Sequence, residues 1–477
     1  MKHLINYRKN GRWWLACCLA GLLFTSCKKL IEIDAPRGVI VGTEIYNKKS
    51  TAAAVLTGIF SDMAEFGSVY AGDYSVALCA GFAGDELAPT FYDNEYYMWF
   101  YTNQLSGLNA PIYWTNLYAL IFRANAAMEG LKASSLQEDL RDQLIGEALF
   151  VRAFAYFHLT GLYGAVPLVL STDWQVSGVA ERVPVATVYD QLITDLKEAK
   201  SLLKTDYLQA DIGLVSDTRL RPNKATASAL LSRIYLYARH WPEAEAEATG
   251  LIDDPRFALE SIDRVFLGDS KEAIWQFDNV DAAYNAAPAR LYQNNYYPMF
   301  MLSDALMDQF EPDDARKEKW IRTTPLLDPT ITVPPHPYKY KTIEAGTGPT
   351  EYQIVFRLAE QFLIRAEARA EQEKRTGANS AAADLDAIRL RAGLQPATAA
   401  TLPQLQEAIL KERQLELFSE FGHRWFDLKR TGNVDAVMTT VAPTKKTSWK
   451  TEYQLWPIPQ NDILRNPSLA GQQNPGY

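Results

Sequence analysis

Apolar positions recur at helical spacing through most of the chain. In "QLIGEALFVRAFAYFHLTGLYGAVPLV", Leu144, Ala148, Val151, Ala155, Leu159 and Leu162 form one stripe, and Phe150, Phe154, Phe157 and Gly161 form a second. A helix apolar on most of its circumference is buried among other helices, and the glycines before Pro167 end it. A like unit follows in "KATASALLSRIYLYARHWPEAEAEATGLID", where Leu230, Ile234, Tyr237 and Trp241 share a stripe. Small Ala227 and Ala238 admit a close neighbour there, and Pro242 opens a second, alanine-rich helix. A third unit, "FRLAEQFLIRAEARAEQ", carries Ala359, Leu363, Ala366 and Ala370 on one face and is followed by "GANSAAADLDAIRLRAGL". Further helices are expected at "VATVYDQLITDLKEAKSLL" and "WTNLYALIFRANAAMEGL". Helix, short turn and alanine-rich helix is the layout of a tetratricopeptide repeat, here irregularly spaced and interrupted by long insertions. The pattern predicts an all-α framework, a superhelix of four degenerate tetratricopeptide-like helix pairs.

Between these units lie poorly periodic stretches at 66–112, 205–222 and 260–350, rich in Pro, Asn and Tyr. Loops that long inside a compact protein usually have a function. The densest is "TFYDNEYYMWFY" at 90–101, with seven aromatics in twelve positions and Asp93, Asn94 and Glu95 among them. No period of 3.6 or 2 sorts its apolar from its polar residues, so it is read as irregular: a piece of core, the lining of a ligand site or a face for a partner protein.

Residues 1–26 read as a secretory signal: Lys2, Arg8, Lys9 and Arg12, then the apolar "WWLACCLAGLLF", then small Thr25 and Ser26 before Cys27. The end of this segment resembles a bacterial lipobox, with Phe24 where Leu is usual, and makes Cys27 the expected site of lipidation. Cys17 and Cys18 leave with the signal, so Cys79 alone remains as a thiol and no internal disulfide is expected. Cys79 itself reads as a buried small hydrophobe. Removing four bases and no acids from totals of 48 and 57 leaves 44 Lys+Arg against 57 Asp+Glu, formally −13. That balance argues against nucleic acid or an anionic membrane surface as the main partner.

The chain carries no sequence signature of catalysis. His3 lies in the signal and His158, His240, His336 and His423 are scattered singly, without metal-ligand spacing. His158 reads as a hydrogen-bonded core residue. Acids such as Asp85, Glu86, Asp313 and Asp314 read as loop residues, where adjacent carboxylates are usually solvated or cap helices. No cofactor and no metal is expected. The densest polar constellation is "ILKERQLELFSEFGHRWFDLKRTGNV". It reads as a salt-bridged helix end, with Glu416 and Glu420 meeting Arg413 and Arg424 while Trp425 and Phe426 enter the core.

Taken in order behind the lipobox, "SCKKLIEIDAP", "WTNLYALIFRANAAMEGL", "GEALFVRAFAYFHLTGLYGAVPLV", "VYDQLITDLKEAKSLL", "RPNKATASALLSRIYLYARHWPEA", "FRLAEQFLIRAEARAEQ", "ERQLELFSEFGHRWFDLKRTG" and "LWPIPQNDILRNPSLAGQQNPGY" resemble the SusD/RagB family of Bacteroidetes outer-membrane nutrient-binding lipoproteins. The resemblance covers nearly the whole length. It implies a single domain over 27–477, with loop-rich insertions near 66–112 and 260–350 and a C-terminal part from about 350. It further implies a non-enzymatic, lipid-anchored, surface-exposed outer-membrane protein. Such a protein captures oligosaccharides and delivers them to a SusC-type TonB-dependent transporter. A peptide-capturing member with the same partner, a glycoside hydrolase with an unrecognised carboxylate pair and an adaptor using only its repeats are the alternatives.

Glycan-binding members place aromatic platforms in the irregular half. If one sugar face buries roughly 40 Å² on a ring, the gain is about 1 kcal/mol, so two or three rings must act together. Trp99 is the first candidate platform, followed by Tyr96, Tyr97, Tyr296, Tyr297 and Trp320. Asp93, Asn94, Asn103, Asn294 and Asn295 are candidates to orient hydroxyls.

Overall fold

The computed structural model describes residues 44–109, 112–293, 296–325 and 330–477. The signal segment, Cys27, Asn294 and Asn295 lie outside the described residues. Residues 46–477 form one compact unit.

The framework is a sequential array of helices. Helix α1 (Lys49–Ala64) leads to α2 (Val76–Ala83) and α3 (Glu95–Tyr101). The array proper follows: α4 (Ile112–Lys132), α5 (Glu138–Tyr163), α6 (Val185–Leu202), α7 (Lys224–Tyr237) and α8 (Trp241–Ile252). It resumes with α9 (Leu358–Glu371), α10 (Ala381–Arg391) and α11 (Leu402–Leu417), then α12 (His423–Arg430) and α13 (Val434–Val441). Each helix from α4 to α8 packs on the next, and α9 joins α8 to α10 and α11.

Local chemistry explains the helix ends. Asn223 Oδ1 accepts the N–H of Thr226 at 3.0 Å to start α7, and Thr401 and Gln404 make a reciprocal capping box on α11. Helix α5 stops at Gly164, whose φ of 74° a side chain would resist. Its apolar circumference is buried as its pattern requires, with Leu144, Phe150, Phe154 and Leu159 inaccessible to solvent. Ala244 and Ala248 of α8 face a layer that includes Ala366 and Ala370 of α9, all without exposure. Alanines at such a contact let two backbones approach closely.

The strands are few and short. β1 (Leu87–Pro89) pairs antiparallel with β3 (Phe300–Leu302), and β2 (Ala273–Phe277) pairs antiparallel with β4 (Gln353–Arg357). Trp275 on β2 packs edge-on to Phe150 of α5 at 5.0 Å, which seats this second ladder on the framework. No described helix is long and apolar enough to cross a membrane.

Two sequence expectations need correction. The stretch 90–101 is not wholly irregular: 95–101 is helical, its aromatic content hiding the period because rings face both inward and outward. The helix end at 412–430 is salt-bridged and buries Trp425 and Phe426, but Glu416, Glu420 and Arg424 do not pair with one another or with Arg413. Arg413 Nε bonds Asp427 at 2.7 Å and Arg424 bonds Asp85 at 2.9 and 2.7 Å. Glu416 instead meets Arg316, Arg357 and Arg391, and Glu420 meets Arg357 and Lys339. Burial excludes the water that would otherwise serve these carboxylates, so cations arrive from distant segments.

Candidate functional site

Three rungs of ladder, Leu87 to Leu302, Ala88 to Met301 and Pro89 to Phe300, bring two aromatic segments together. The N–H of Thr90 continues the ladder by donating to Met299 O at 2.9 Å. Beyond it the chain projects Phe91 and Tyr92 on one side and Tyr296 and Tyr297 on the other. Their rings are 52, 58, 73 and 40 % exposed. Phe91 and Tyr297 lie with ring centroids 5.8 Å apart, tilted 47°. Exposed apolar rings held side by side are a surface that water covers poorly and a flat apolar ligand covers well.

Helix α3 supports this surface from beneath. Asn94 Oδ1 accepts the Tyr97 N–H at 3.4 Å as its N-cap. Tyr97 packs on Phe82 at 5.7 Å and edge-on to Phe300 at 5.1 Å, while Phe100 meets Trp456 at 5.0 Å. Tyr92 leans on Tyr101 at 6.0 Å.

The structure sorts the sequence candidates into three groups. Tyr296 and Tyr297 are at the surface, and Asp93 and Asn94 are exposed beside them, with Asn94 engaged in capping. Trp99 and Tyr96 are half-buried and edge-to-face at 6.1 Å. The Tyr96 hydroxyl is enclosed next to Cys79 and Tyr113, and burial pushes its ionisation well above the usual phenol range. Tyr97 is buried beneath the surface rather than on it, and Asn103 is buried with its amide donating to Ala83 O at 3.2 Å.

Trp320 is the clearest departure. It has no exposure, and its indole N–H donates to Ile262 O at 2.9 Å. Lys339 Nζ lies 4.9 Å from its ring, with Arg391 and Arg357 at 5.6 and 5.9 Å. The ring is a core plate against buried cations and presents no face to a ligand. Phe91 and Tyr92, by contrast, were not singled out in the sequence. Only the β1–β3 pairing, invisible in a linear pattern, brings them to Tyr297.

A cavity of about 390 Å³ is walled by Glu65, Phe66, Asp278, Asp281, Tyr284 and Arg290. Asp73 stands in the field of Arg290, and the adjacent Tyr74 packs edge-on to Tyr96 of α3 at 5.1 Å. Burial pushes the Asp73 carboxyl up and Arg290 pulls it back. A larger hollow, about 980 Å³, lies among α7, α8, α9, α11, α12 and α13. None of the exposed aromatics lines it, and its charges Asp85 and Arg424, and Glu367 and Arg430, are paired with each other.

Two of the acids weighed for catalysis, Asp85 and Asp314, are held in ion pairs. Asp85 is bidentate to Arg424, and Asp314 binds Arg316 while capping the helix at Ala315–Lys319. Glu86 is enclosed, and burial, reinforced by Asp85, pushes its carboxyl up to about 8. His158 Nδ1 lies 2.9 Å from Phe154 O, and burial pushes the ring down to about 3. Among the described residues no group of three or more His, Cys, Asp or Glu could hold a metal ion.

Two family models match the chain. One, described as starch-binding and associating with the outer membrane, spans residues 69–236, and the SusD family model spans 264–477. Among characterised relatives, SusD-like protein P2 of Formosa agariphila is 26 % identical over 422 residues, covering 76 % of this chain and 80 % of the relative. SusD-like protein P25 of the same organism is 22 % identical over 528 residues, covering 95 and 97 %. Solved structures share the fold. A laminarin-binding SusD-like protein superposes with a TM-score of 0.71 at 23 % identity, covering 91 % of this chain and all of that one. Surface glycan-binding protein A of Bacteroides thetaiotaomicron, in complex with laminarihexaose, superposes with 0.73 at 19 % identity, covering 89 and 98 %.

Proposed function

From the premise that this chain belongs to the SusD/RagB family, we propose that it is a cell-surface glycan-binding lipoprotein. It captures oligosaccharide on the Phe91, Tyr92, Tyr296 and Tyr297 surface and passes it to a SusC-type TonB-dependent transporter. The observation that carries the reading is the pair of aromatic segments joined by the β1–β3 ladder, four exposed rings on one supported surface. Each sugar face placed on a ring gains about 1 kcal/mol, so several rings acting together reach useful affinity while leaving release easy. Asp93 is placed to accept hydroxyls at the same edge, and Trp99 contributes its half-exposed edge. The glycan-binding relatives support the ligand class.

Cys27 carries the lipid in this reading. Two or more acyl chains hold a protein stably to a membrane, whereas one holds it marginally. Binding is not accompanied by cleavage, since the site presents rings and hydroxyl acceptors rather than a facing acid pair.

The test is affinity electrophoresis through gels containing laminarin, starch, xylan and other polysaccharides, with Phe91→Ala and Tyr297→Ala run alongside. Retardation by one glycan that both variants lose supports the reading and names the ligand. No retardation by any glycan, with peptide capture in its place, would overturn it. Reducing ends released from a retained glycan would overturn the non-catalytic part alone.

A further inference from the structure

Arg290 is an exposed arginine that rests against two aromatic rings. The guanidinium carbon lies 4.2 Å from the centre of the Phe66 ring and 4.5 Å from that of Tyr284, so two segments distant in sequence stack on it. None of its N–H donors meets an acceptor among the described residues, and it forms no ion pair there. Free arginine side chains lose considerable rotamer freedom when they bind. This one has been ordered in advance by its two rings. What stays available is the planar edge, whose fork of donors matches a carboxylate or sulfate in bidentate geometry.

The rest of the cavity complements such a ligand. Asp278 Oδ1 accepts the Asn279 N–H at 2.8 Å and Asp281 Oδ1 accepts the Ala283 N–H at 3.1 Å, and each keeps its second carboxylate oxygen without a partner among the described residues. Phe277 and Gln353, opposite each other on β2 and β4, line the inner end. Gln353 is 6 % exposed, and its Oε1 has no hydrogen-bond partner. One cationic edge, several acceptors and apolar rings are the inverse of a sugar acid, which offers one anionic group, several hydroxyl donors and an apolar face. A neutral sugar would leave the fork without its best acceptor.

We propose that this cavity is a subsite for a sugar residue bearing an anionic substituent, carboxylate or sulfate, with Arg290 as its clamp. The inference rests on the glycan-capture reading and specifies its ligand as acidic. Glu65, Asp278 and Asp281 make the rim negative, so the clamp reads a single substituent and disfavours a densely charged chain. Asp73 and Tyr74 connect the cavity to α3, the helix that supports the aromatic surface. In this proposal a chain resting on the rings places its acidic residue or branch in the cavity.

The test uses the full chain in mild detergent and saturation-transfer NMR with monosaccharide probes. Methyl glucuronoside, methyl galacturonoside and galactose 6-sulfate are compared with methyl glucoside and methyl galactoside. At least one acidic probe is expected to bind tenfold or more tighter than its neutral counterpart. Preference for the uronosides alone identifies carboxylate as the substituent, and preference for the sulfate identifies sulfate. Arg290→Gln should abolish the preference. Arg290→Lys, which keeps charge but loses the fork, should recover only a small part of it. Arg290 is solvent-exposed and holds no ion pair, so both variants should melt as the parent does, which is checked by circular dichroism. Equal binding of acidic and neutral probes, no binding of acidic probes, or a preference that survives Arg290→Gln would overturn the proposal. Any of these alongside retained polysaccharide retardation would leave the glycan-capture reading standing, and loss of both would remove the two together.

Discussion

Arg357 grips both carboxylate oxygens of Glu420, Nε to Oε2 at 2.8 Å and Nη2 to Oε1 at 2.9 Å, in surroundings where neither side chain is more than 7 % exposed. The pair ties the end of β4 to the turn after α11. Lys339 reaches the same carboxylate at 2.5 Å, and Glu272 and Glu416 hold the other edge of the guanidinium. Arg357→Met leaves three buried carboxylates short of a cation and should destabilise the fold by about 3–5 kcal/mol, read as a lowered midpoint in urea unfolding. Removing Glu318, whose partner Lys319 is at the surface, should leave the midpoint unchanged.

Glu86 predicts a pH dependence. Burial first, then Asp85, raises its carboxyl from 4.5 to about 8, against the opposing pull of Arg424 and Lys339. The folded state thus holds a proton that the unfolded state releases in this interval, and the contribution of Glu86 to stability is lost as pH rises through it. Glu86→Gln removes that loss. Its stability relative to the parent should climb between pH 4.5 and 8, at up to about 1.4 kcal/mol per pH unit, and level off above. Urea titrations of both proteins at several pH values measure the difference directly, free of the histidines and lysines they share.

Gly161 predicts an overpacking penalty. A Cβ there would lie 2.8 Å from Phe426 Cε1, with Cδ1 at 3.2 and Cζ at 3.3 Å, so the buried Phe426 ring must shift to admit it. Gly161→Ala should cost about 1–3 kcal/mol, measured by thermal or urea unfolding.

Tyr297→Ala and Phe91→Ala should each weaken glycan retention by about 1 kcal/mol, roughly fivefold, with no change in melting temperature. Trp99→Ala should have a smaller effect on retention, since only part of its ring reaches solvent. Trp320→Ala should do the reverse, lowering stability by about 3–5 kcal/mol through the hole left beside Phe266 and Phe418, as thermal melts will show.

Cys79 should resist modification until the protein unfolds. It has no exposure, and burial pushes its thiol up to about 12, so the reactive thiolate is scarce as well as inaccessible. Labelling with a thiol reagent across a urea series, with Cys79 followed by peptide mapping, should track the unfolding transition.

The framework was legible where burial is one-sided or complete over several turns. Helix α5 announces itself because its apolar residues need a helical repeat to share a core, and Pro167 and Gly164 mark its end. The candidate site was legible only in part. Tyr296 and Tyr297 stand in a Pro- and Asn-rich loop, where exposure is the ordinary outcome. Trp320 stands in an equally irregular loop and is buried, because the segment folds under a cluster of cations contributed by 339, 357 and 391. Composition cannot separate these two cases. Nor can it reveal that Phe91 meets Tyr297, or that Glu416 finds Arg316 a hundred residues away, since both depend on which distant segments the fold lays side by side.

The three-rung ladder between β1 and β3 separates what holds the aromatic segments from what they reach. Lengthening or shortening the chain on the far side of Thr90 or Met299 would move Phe91, Tyr92, Tyr296 or Tyr297 without disturbing a single rung. In the glycan-capture reading, the spacing between rings, and with it the pitch and curvature of the polymer they would fit, is adjustable by loop length alone, at two points and with every framework helix left as it is.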